Sequence, residues 1–327
     1  MTKPNIYITR RLPVQILDLF PGSDVEMNRE DRGLTKDELL AKIKNRDAVV
    51  VVADIIDEGI CRAIKATCRI IANYGVGYNN IDVKCATRHG IYVSNTPDVV
   101  TDATADLTWT LLLATARRVV ECDRFVRSGQ KGWGPMTLMS TQVTGKTLGI
   151  IGGGRIGQAV ARRAQGFRMK VIYTDVERLP AFEAATAGKF VDKETLLRSS
   201  DFISIHVPLL PSTRHLLGAE EFRLMKKTAF LINAARGPIV DEKALVEALQ
   251  EGQLAGAGLD VFEQEPDLTE GLSELPNVVL TPHVGTQTTE IRMEMAGVCA
   301  QNVFAALSGQ IPPNCLNPEA KSNQRIL

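Results

Sequence analysis

The stretch from Gly145 to Asp175 limits what this chain can fold into more than any other. Leu148 to Ile151 is a short apolar run suited to a buried strand. Gly152, Gly154 and Gly157 follow on G-x-G-x-x-G spacing and open a segment with apolar residues at Ile156, Ala159, Val160 and Ala164, the pattern of a packed helix. A second apolar run, Val171 to Tyr173, ends at Asp175, 175 − 157 = 18 residues past the last glycine. Glycine turns alone are common, but strand, glycine turn, helix, strand and acid in this order predict a dinucleotide site. Gly152 permits the tight turn, Gly154 lets backbone approach a pyrophosphate, and Gly157 lets helix pack on strand. The helix N-terminus offers N–H groups and partial positive charge to the phosphates. Asp175 suits the adenosine ribose hydroxyls and repels a 2′-phosphate, which favours NAD over NADP.

The rest of the chain bounds the reading. Its 327 residues predict about two domains. Lys plus Arg equals Asp plus Glu, 38 each, so no charge excess points to nucleic acid or an anionic membrane as partner. No apolar run approaches the length of a membrane span, and the N-terminus lacks the apolar region of a signal peptide. The cysteines, at 61, 68, 85, 122, 299 and 315, never fall at C-x-x-C spacing; they predict free thiols, with neither a disulfide framework nor a metal site. A cytoplasmic protein is the expectation.

Asn5–Thr9 is an expected strand, followed by a helix near Pro13–Leu19. Thr35 and Glu38 form a capping-box pair before another helix, and Ala48 to Val52 is a buried strand. A helix near Glu58–Ala66, a strand at Arg69–Ala72, the glycine-bearing loop Asn73 to Asn80 and a strand at Ile91–Asn95 complete a small α/β unit ending near residue 100. Thr101 to Arg118 is a long helix with apolar residues on more than one face, which predicts burial on several sides, between domains or subunits. An irregular segment holds Trp133. Beyond Asp175, strands are expected at 189–191, 201–207, 228–233, 257–261 and 278–281, with helices at 193–198, 243–250 and 290–307. From roughly Asn317 the chain has the look of a loose tail.

In an open parallel sheet, ligands bind at the carboxyl ends of strands. Three polar residues follow such ends: Arg236 after Phe230–Ala235, Glu265 after Leu259–Gln264, and His283 after Val278–Pro282. Hydride transfer to a 2-oxo acid needs these types. Arginine's planar fork matches a carboxylate, histidine exchanges protons near neutral pH, and a carboxylate orients the imidazole. Of the other histidines, His89 and His215 are expected at the surface, and His206 in a strand as a satisfied core residue.

The blocks Asn233-Ala234-Ala235-Arg236-Gly237, Gly258 to Phe262 through Glu265-Pro266, and Thr281-Pro282-His283-Val284-Gly285 resemble the signatures of the D-isomer-specific 2-hydroxyacid dehydrogenases. The likeness covers nearly the whole chain. It implies two parallel-sheet α/β domains: a Rossmann NAD-binding domain, residues 101–288, and a discontinuous flavodoxin-like substrate domain, residues 1–100 and 289–327. It also implies an active site between the domains and a homodimer to which the 101–118 helix contributes. Carried onto this chain, Arg236 binds and polarises the 2-oxo acid, His283 gives the proton, and Glu265 pairs with His283. Val76 and Gly77 offer backbone N–H groups to the substrate carboxylate. The resemblance places Gly152, Gly154, Arg155, Ile156, Gly157, Asp175, Val207, Pro208, Thr213, Ala234, Ala235, Asp260 and Gly285 around the cofactor, with no metal.

Within the family, Thr96 to Asp106 and Gly132-Trp133-Gly134-Pro135 resemble glyoxylate/hydroxypyruvate reductases, in which such a tryptophan borders the substrate pocket. A plain interface or core anchor is the other reading of Trp133. Formate dehydrogenases carry glutamine where Glu265 stands, and phosphite dehydrogenases a lysine in the loop that here reads Tyr74-Gly75-Val76-Gly77. Asn79 replaces the aspartate usual in that loop. Relatives that prefer NADPH carry a basic residue near position 175; Asp175 argues for NAD, with Arg178 nearby as the opposing consideration. Two alternatives remain open at this level: a D-lactate or other D-2-hydroxyacid dehydrogenase, and an NAD-sensing dimeric corepressor on the same fold.

Overall fold

The short apolar runs form two all-parallel sheets, seen in a computed structural model that describes residues 3–30 and 32–323. The chain divides into two compact units, residues 1–100 with 286–327 and residues 101–285.

The first unit holds five strands: β1 (Asn5–Ile8), β2 (Asp24–Met27), β3 (Ala48–Val51), β4 (Ile70–Asn73) and β5 (Tyr92–Ser94), in the order β2-β1-β3-β4-β5. That is the flavodoxin-like order. Every residue of β3 and β4 is buried, which explains why these strands read as unbroken apolar runs instead of alternating ones. The intervening helices are capped as their sequences dictate. Thr35 and Glu38 form the expected capping box on Lys36–Ile43, and the Asp57 and Asp82 carboxylates accept N–H groups at the starts of Glu58–Ile64 and Val83–Arg88. Each such cap stabilises its helix by about 1 kcal/mol.

The second unit holds β6 (Thr147–Ile151), β7 (Lys170–Thr174), β8 (Lys189–Phe190), β9 (Phe202–Ile205), β10 (Phe230–Asn233), β11 (Gly256–Leu259) and β12 (Val278–Leu280). Their order, β12-β11-β10-β9-β6-β7-β8, is the doubly wound arrangement whose strand order reverses between β6 and β9. The α/β class expected from the sequence is therefore present.

Several expectations are corrected. The Pro13–Leu19 segment is a 3-10 helix over Val14–Leu19. The edge strand β2 and the helices Val83–Arg88, Val119–Arg127, Pro180–Thr186 and Ala219–Leu224 lie outside the expected set. The long helix runs Thr101–Ala116 and is buried inside its own unit, against β10, β11 and the Arg155–Arg163 helix; only a stripe including Asp102, Asp106 and Thr110 is exposed. The tail is not loose where it is described. Asn317 is fully buried, its Oδ1 accepting the Val93 N–H at 2.7 Å and its Nδ2 donating to Ile91 O at 3.0 Å. A 3-10 helix, Pro318–Asn323, follows; residues 324–327 lie outside the described residues. Among the described residues no helix is long and apolar enough to cross a membrane.

Candidate active site

The glycine turn forms as its spacing requires. Gly152 follows β6 with φ +98°, and a Cβ there would meet the backbone of His206, just past β9, at 2.7 Å. Two strands that diverge at the switch point thus touch through a residue without a side chain. At Gly157 a Cβ would stand 2.0 Å from Gly152 O, so helix and turn pack at a distance only glycine allows. Gly154 is the N-cap of the Arg155–Arg163 helix and caps it with no side chain, while the space beside its Cα is open. A helix start of this kind presents its N–H groups to an anion.

Asp175 stands one residue past β7. Its Oδ2 accepts the Gly153 N–H at 2.8 Å and its Oδ1 the Val176 N–H at 2.7 Å, so the carboxylate is fixed to the turn. Arg178 makes a two-pronged contact with Glu183, at 2.9 and 2.7 Å. The one basic residue that weighed against NAD is engaged with a carboxylate of its own.

Parallel register brings the three reactive candidates to one edge. Asn233 of β10 pairs with Leu259 of β11, and Leu259 with Leu280 of β12, so the segments that follow leave the sheet side by side. His283 Nδ1 lies 2.8 Å from Glu265 Oε2, and the Phe262 N–H donates to Glu265 Oε1 at 3.0 Å. Burial acts to raise the Glu265 pKa, but the hydrogen bond and charge of His283, the Phe262 N–H and the Arg236 charge together hold it below the usual carboxylate value. An ionised Glu265 fixes the proton on Nδ1 of His283, which leaves Nε2 to exchange a proton with a ligand. Burial draws the Arg236 guanidinium downward, and the charge of Glu265 opposes that. Its Nη1 also donates to Ala235 O at 2.6 Å.

Two buried polar residues brace this edge, one of them absent from the expected site. Asn233 accepts the Ala235 N–H and donates to Arg236 O, both at 3.0 Å, which shapes the turn that delivers Arg236. Asp260, 1% exposed, accepts Thr281 Oγ1 at 2.6 Å and the N–H groups of Val284 and Gly285 at 2.8 Å each, while its own carbonyl accepts the His283 N–H at 2.8 Å. His283 adopts φ +53°, an uncommon conformation for a non-glycine residue that these four bonds enforce. Burial pushes the Asp260 carboxyl up in pKa, and its hydrogen bonds and His283 pull it back. Asn and Asp inside apolar runs were the available signal, since a polar residue there needs partners.

Other expected residues fall as follows. The Thr213 hydroxyl closes its own loop, donating to Pro208 O at 2.6 Å and accepting the Leu210 N–H at 2.8 Å; Val207 opens that loop beyond β9. His206 lies just past β9, bonded to Ser204 Oγ at 2.8 Å, and burial lowers its pKa to about 3, so it is a neutral, satisfied histidine. His215 is exposed and paired with Glu263 at 2.6 Å. His89, expected in solvent, is instead mostly covered, with 18% of its side chain exposed. The Trp133 indole is 74% exposed, which removes the core-anchor reading.

In the first unit, the loop after β4 has its carbonyls anchored from behind. Asn73 Nδ2 donates to Gly75 O and Gly77 O, and Asn95 Nδ2 to Val76 O, all at 2.9 Å. Because a trans peptide directs C=O and N–H oppositely, the N–H groups of Val76 and Gly77 point away from those anchors.

A family model described as "D-isomer specific 2-hydroxyacid dehydrogenase, NAD binding domain" matches residues 109–285, which hold the glycine turn, Asp175 and the Arg236, Glu265 and His283 edge. This chain belongs to that family. Its curated relatives include a glyoxylate reductase of Thermococcus litoralis, 48% identical over 326 residues, covering 97% of this chain and 98% of that one. Among solved structures, the TT0316 protein from Thermus thermophilus superposes with a TM-score of 0.90 at 42% identity, covering 95% of this chain and 99% of that chain. An NADPH-dependent glyoxylate/hydroxypyruvate reductase from Sinorhizobium meliloti superposes at 0.83 with 29% identity, each chain covered in full.

Proposed function

We propose that this member of the family is an NAD(H)-dependent reductase of small 2-oxo acids, glyoxylate and hydroxypyruvate foremost, yielding the D-2-hydroxy acid. The observation that carries the reading is the His283–Glu265 pair at 2.8 Å on the edge that also bears Arg236, in a chain nearly half identical to a glyoxylate reductase. The residues 101–288 form the NAD-binding domain in this reading, and 1–100 with 289–327 the substrate domain. The turn Gly152–Gly157 and the Arg155–Ile156 helix start would hold the pyrophosphate and Asp175 the ribose, with Val207, Pro208, Thr213, Ala234, Ala235, Asp260 and Gly285 lining the rest of the cofactor site.

When bound, NADH supplies the hydride. Arg236 holds the 2-oxo acid and polarises its carbonyl, and the N–H groups of Val76 and Gly77 take the carboxylate. His283 gives the Nε2 proton to the carbonyl oxygen as negative charge builds there, and Glu265 stabilises the imidazolium beforehand. NADP fits less well, because a 2′-phosphate would meet the Asp175 carboxylate with Arg178 already engaged. The curated relatives point to reductases, and no observation favours the corepressor reading.

A cytoplasmic homodimer belongs to the same reading. The Val119–Arg127 helix has no buried residue and exposes Val119, Val120 and Val126; Trp133, Met136 and Met139 are exposed nearby in sequence. Phe125, Val126, Trp133 and Leu138 line one shared surface groove. Apolar exposure on this scale calls for a partner surface, and a second copy of the same face satisfies it.

The test is an initial-rate panel of glyoxylate, hydroxypyruvate, pyruvate and bulkier 2-oxo acids with each nucleotide. Rapid NADH consumption with glyoxylate and hydroxypyruvate is the expected result. If no small 2-oxo acid is reduced with either nucleotide at any pH, the proposal fails.

A further inference from the structure

The first unit carries a side-chain cluster that the reaction does not use. Glu58 and Cys61 lie three apart on the Glu58–Ile64 helix, and Cys85 and His89 four apart at the Val83–Arg88 helix and its C-cap. Spacings of three and four put each pair on one helix face. The two faces meet. One ligand atom each from Glu58, Cys85 and His89 lie within 4.8 Å of one another, and His89 Nε2 is 3.4 Å from Glu58 Oε1. Cys61, one turn on from Glu58 on the same helix face, is fully buried and brings a second thiol as a fourth candidate donor.

We infer that Glu58, Cys61, Cys85 and His89 form a binding site for a single thiophilic divalent cation, with Zn²⁺ the best match. Two thiols, an imidazole and a carboxylate are the donor types of a closed tetrahedral zinc site, whose donors stand roughly 3.3–3.8 Å apart. For Glu58, Cys85 and His89 the separations, within 4.8 Å, call for a contraction of about 1–1.5 Å, and Cys61 joins them by a rotamer shift on the same helix face. The absence of any C-x-x-C spacing argued against such a site in the sequence; helix packing supplies the pairing that spacing does not.

Charge and access agree with this. Both thiols are fully buried, and an unligated thiol keeps its proton near neutral pH. Binding exchanges two thiol protons for one Zn²⁺, forming two Zn–S bonds and releasing two H⁺ to solvent. Two thiolates, one carboxylate and Zn²⁺ sum to one negative charge. Arg88, 2.5 Å from Glu58 Oε2, and Arg62, 3.8 Å from Oε1, are the cations placed to offset it. Arg88 would stay as the outer partner of the ligating carboxylate, an arrangement common around metal ligands. Glu58 keeps 43% of its side chain exposed, which gives the cation an entry path to thiols that are themselves covered.

The test uses the full-length, reduced, chelator-treated protein titrated with Zn²⁺ against a chromophoric chelator, and separately with Co²⁺. The inference predicts one Zn²⁺ per chain, two protons released per ion, and a thiolate-to-cobalt charge-transfer band. Cys61→Ser with Cys85→Ser should abolish binding, while Cys68, Cys122, Cys299 and Cys315 remain. Should that variant fail to fold, Glu58→Gln and His89→Asn leave both thiols in place, and each should weaken Zn²⁺ binding at least about tenfold. Binding that survives these changes, a cobalt spectrum without the thiolate band, or recovery of Cys61 and Cys85 as a disulfide that takes up no metal would each overturn it. The result is independent of whether glyoxylate is the substrate.

Discussion

At the ends of β6 and β7 the functional groups are mainly backbone: a glycine turn, an uncapped helix start and one carboxylate bonded to that turn. At the ends of β10, β11 and β12 they are side chains: Arg236, Glu265 and His283, braced by buried Asn233 and Asp260. Both belong to one sheet and follow from the same parallel register. In the proposed reaction the difference lies in what each would have to do. A pyrophosphate is the same in every dinucleotide, so N–H groups at a fixed spacing suffice to hold it. Charge that develops on a carbonyl oxygen needs groups that donate protons and carry charge at a set point, and those must be held by further residues.

Substitutions should separate the two regions. His283→Gln should lower turnover by roughly 10²–10⁴ while leaving the NADH Kd nearly unchanged; stopped-flow rates beside fluorescence titration measure both. A comparable loss of NADH binding would dissolve the distinction. Arg236→Lys keeps the charge but loses the planar fork, and kcat/KM for glyoxylate should fall by roughly 10²–10³. Asp260→Asn places an amide against two backbone donors and should cost about 1–3 kcal/mol of stability in denaturant melts, with a loss of turnover through misplaced His283. Melts superposable on wild type would deny Asp260 its bracing role. Asp175→Ala should narrow the NADH-over-NADPH preference about tenfold, whereas Arg178→Ala should leave the ratio as it is.

Acid stability gives a smaller, signed effect. Glu265 is held below its usual value, so its ionised pairing with His283 stabilises the fold above the ordinary carboxylate range. That contribution is lost as pH falls through the depressed value. Glu265→Gln should therefore flatten the stability–pH slope on the acid side, and an unchanged slope would show that the pair contributes nothing to folding.

What was legible in the sequence follows the same division. The glycine turn, Asp175 and the three strand-end residues depend on local spacing after apolar runs, and the fold class depends on the alternation of those runs. The bracing role of Asn233 and Asp260 was not legible, although Asp260 itself was expected at the site, because their partners are set by tertiary approach. Asn317 bonds to a strand more than 220 residues away, and Asn73 and Asn95 anchor a loop from behind. The strand β2 has no fully buried residue, and the Val119–Arg127 helix buries none, so neither carries a core-facing signature. The grouping of Glu58, Cys85 and His89 was hidden for a related reason, since they come from separate helices.

The central claim is that the glycine-turn edge binds the nucleotide and the side-chain edge performs the chemistry. The most direct test is the NADH Kd and the single-turnover rate with glyoxylate, measured side by side for His283→Gln and Asp175→Ala. The account predicts opposite patterns. His283→Gln should lose rate and keep affinity, and Asp175→Ala should weaken NADH binding yet reduce glyoxylate at close to the wild-type rate once saturated. Parallel losses of rate and affinity in both variants would contradict it.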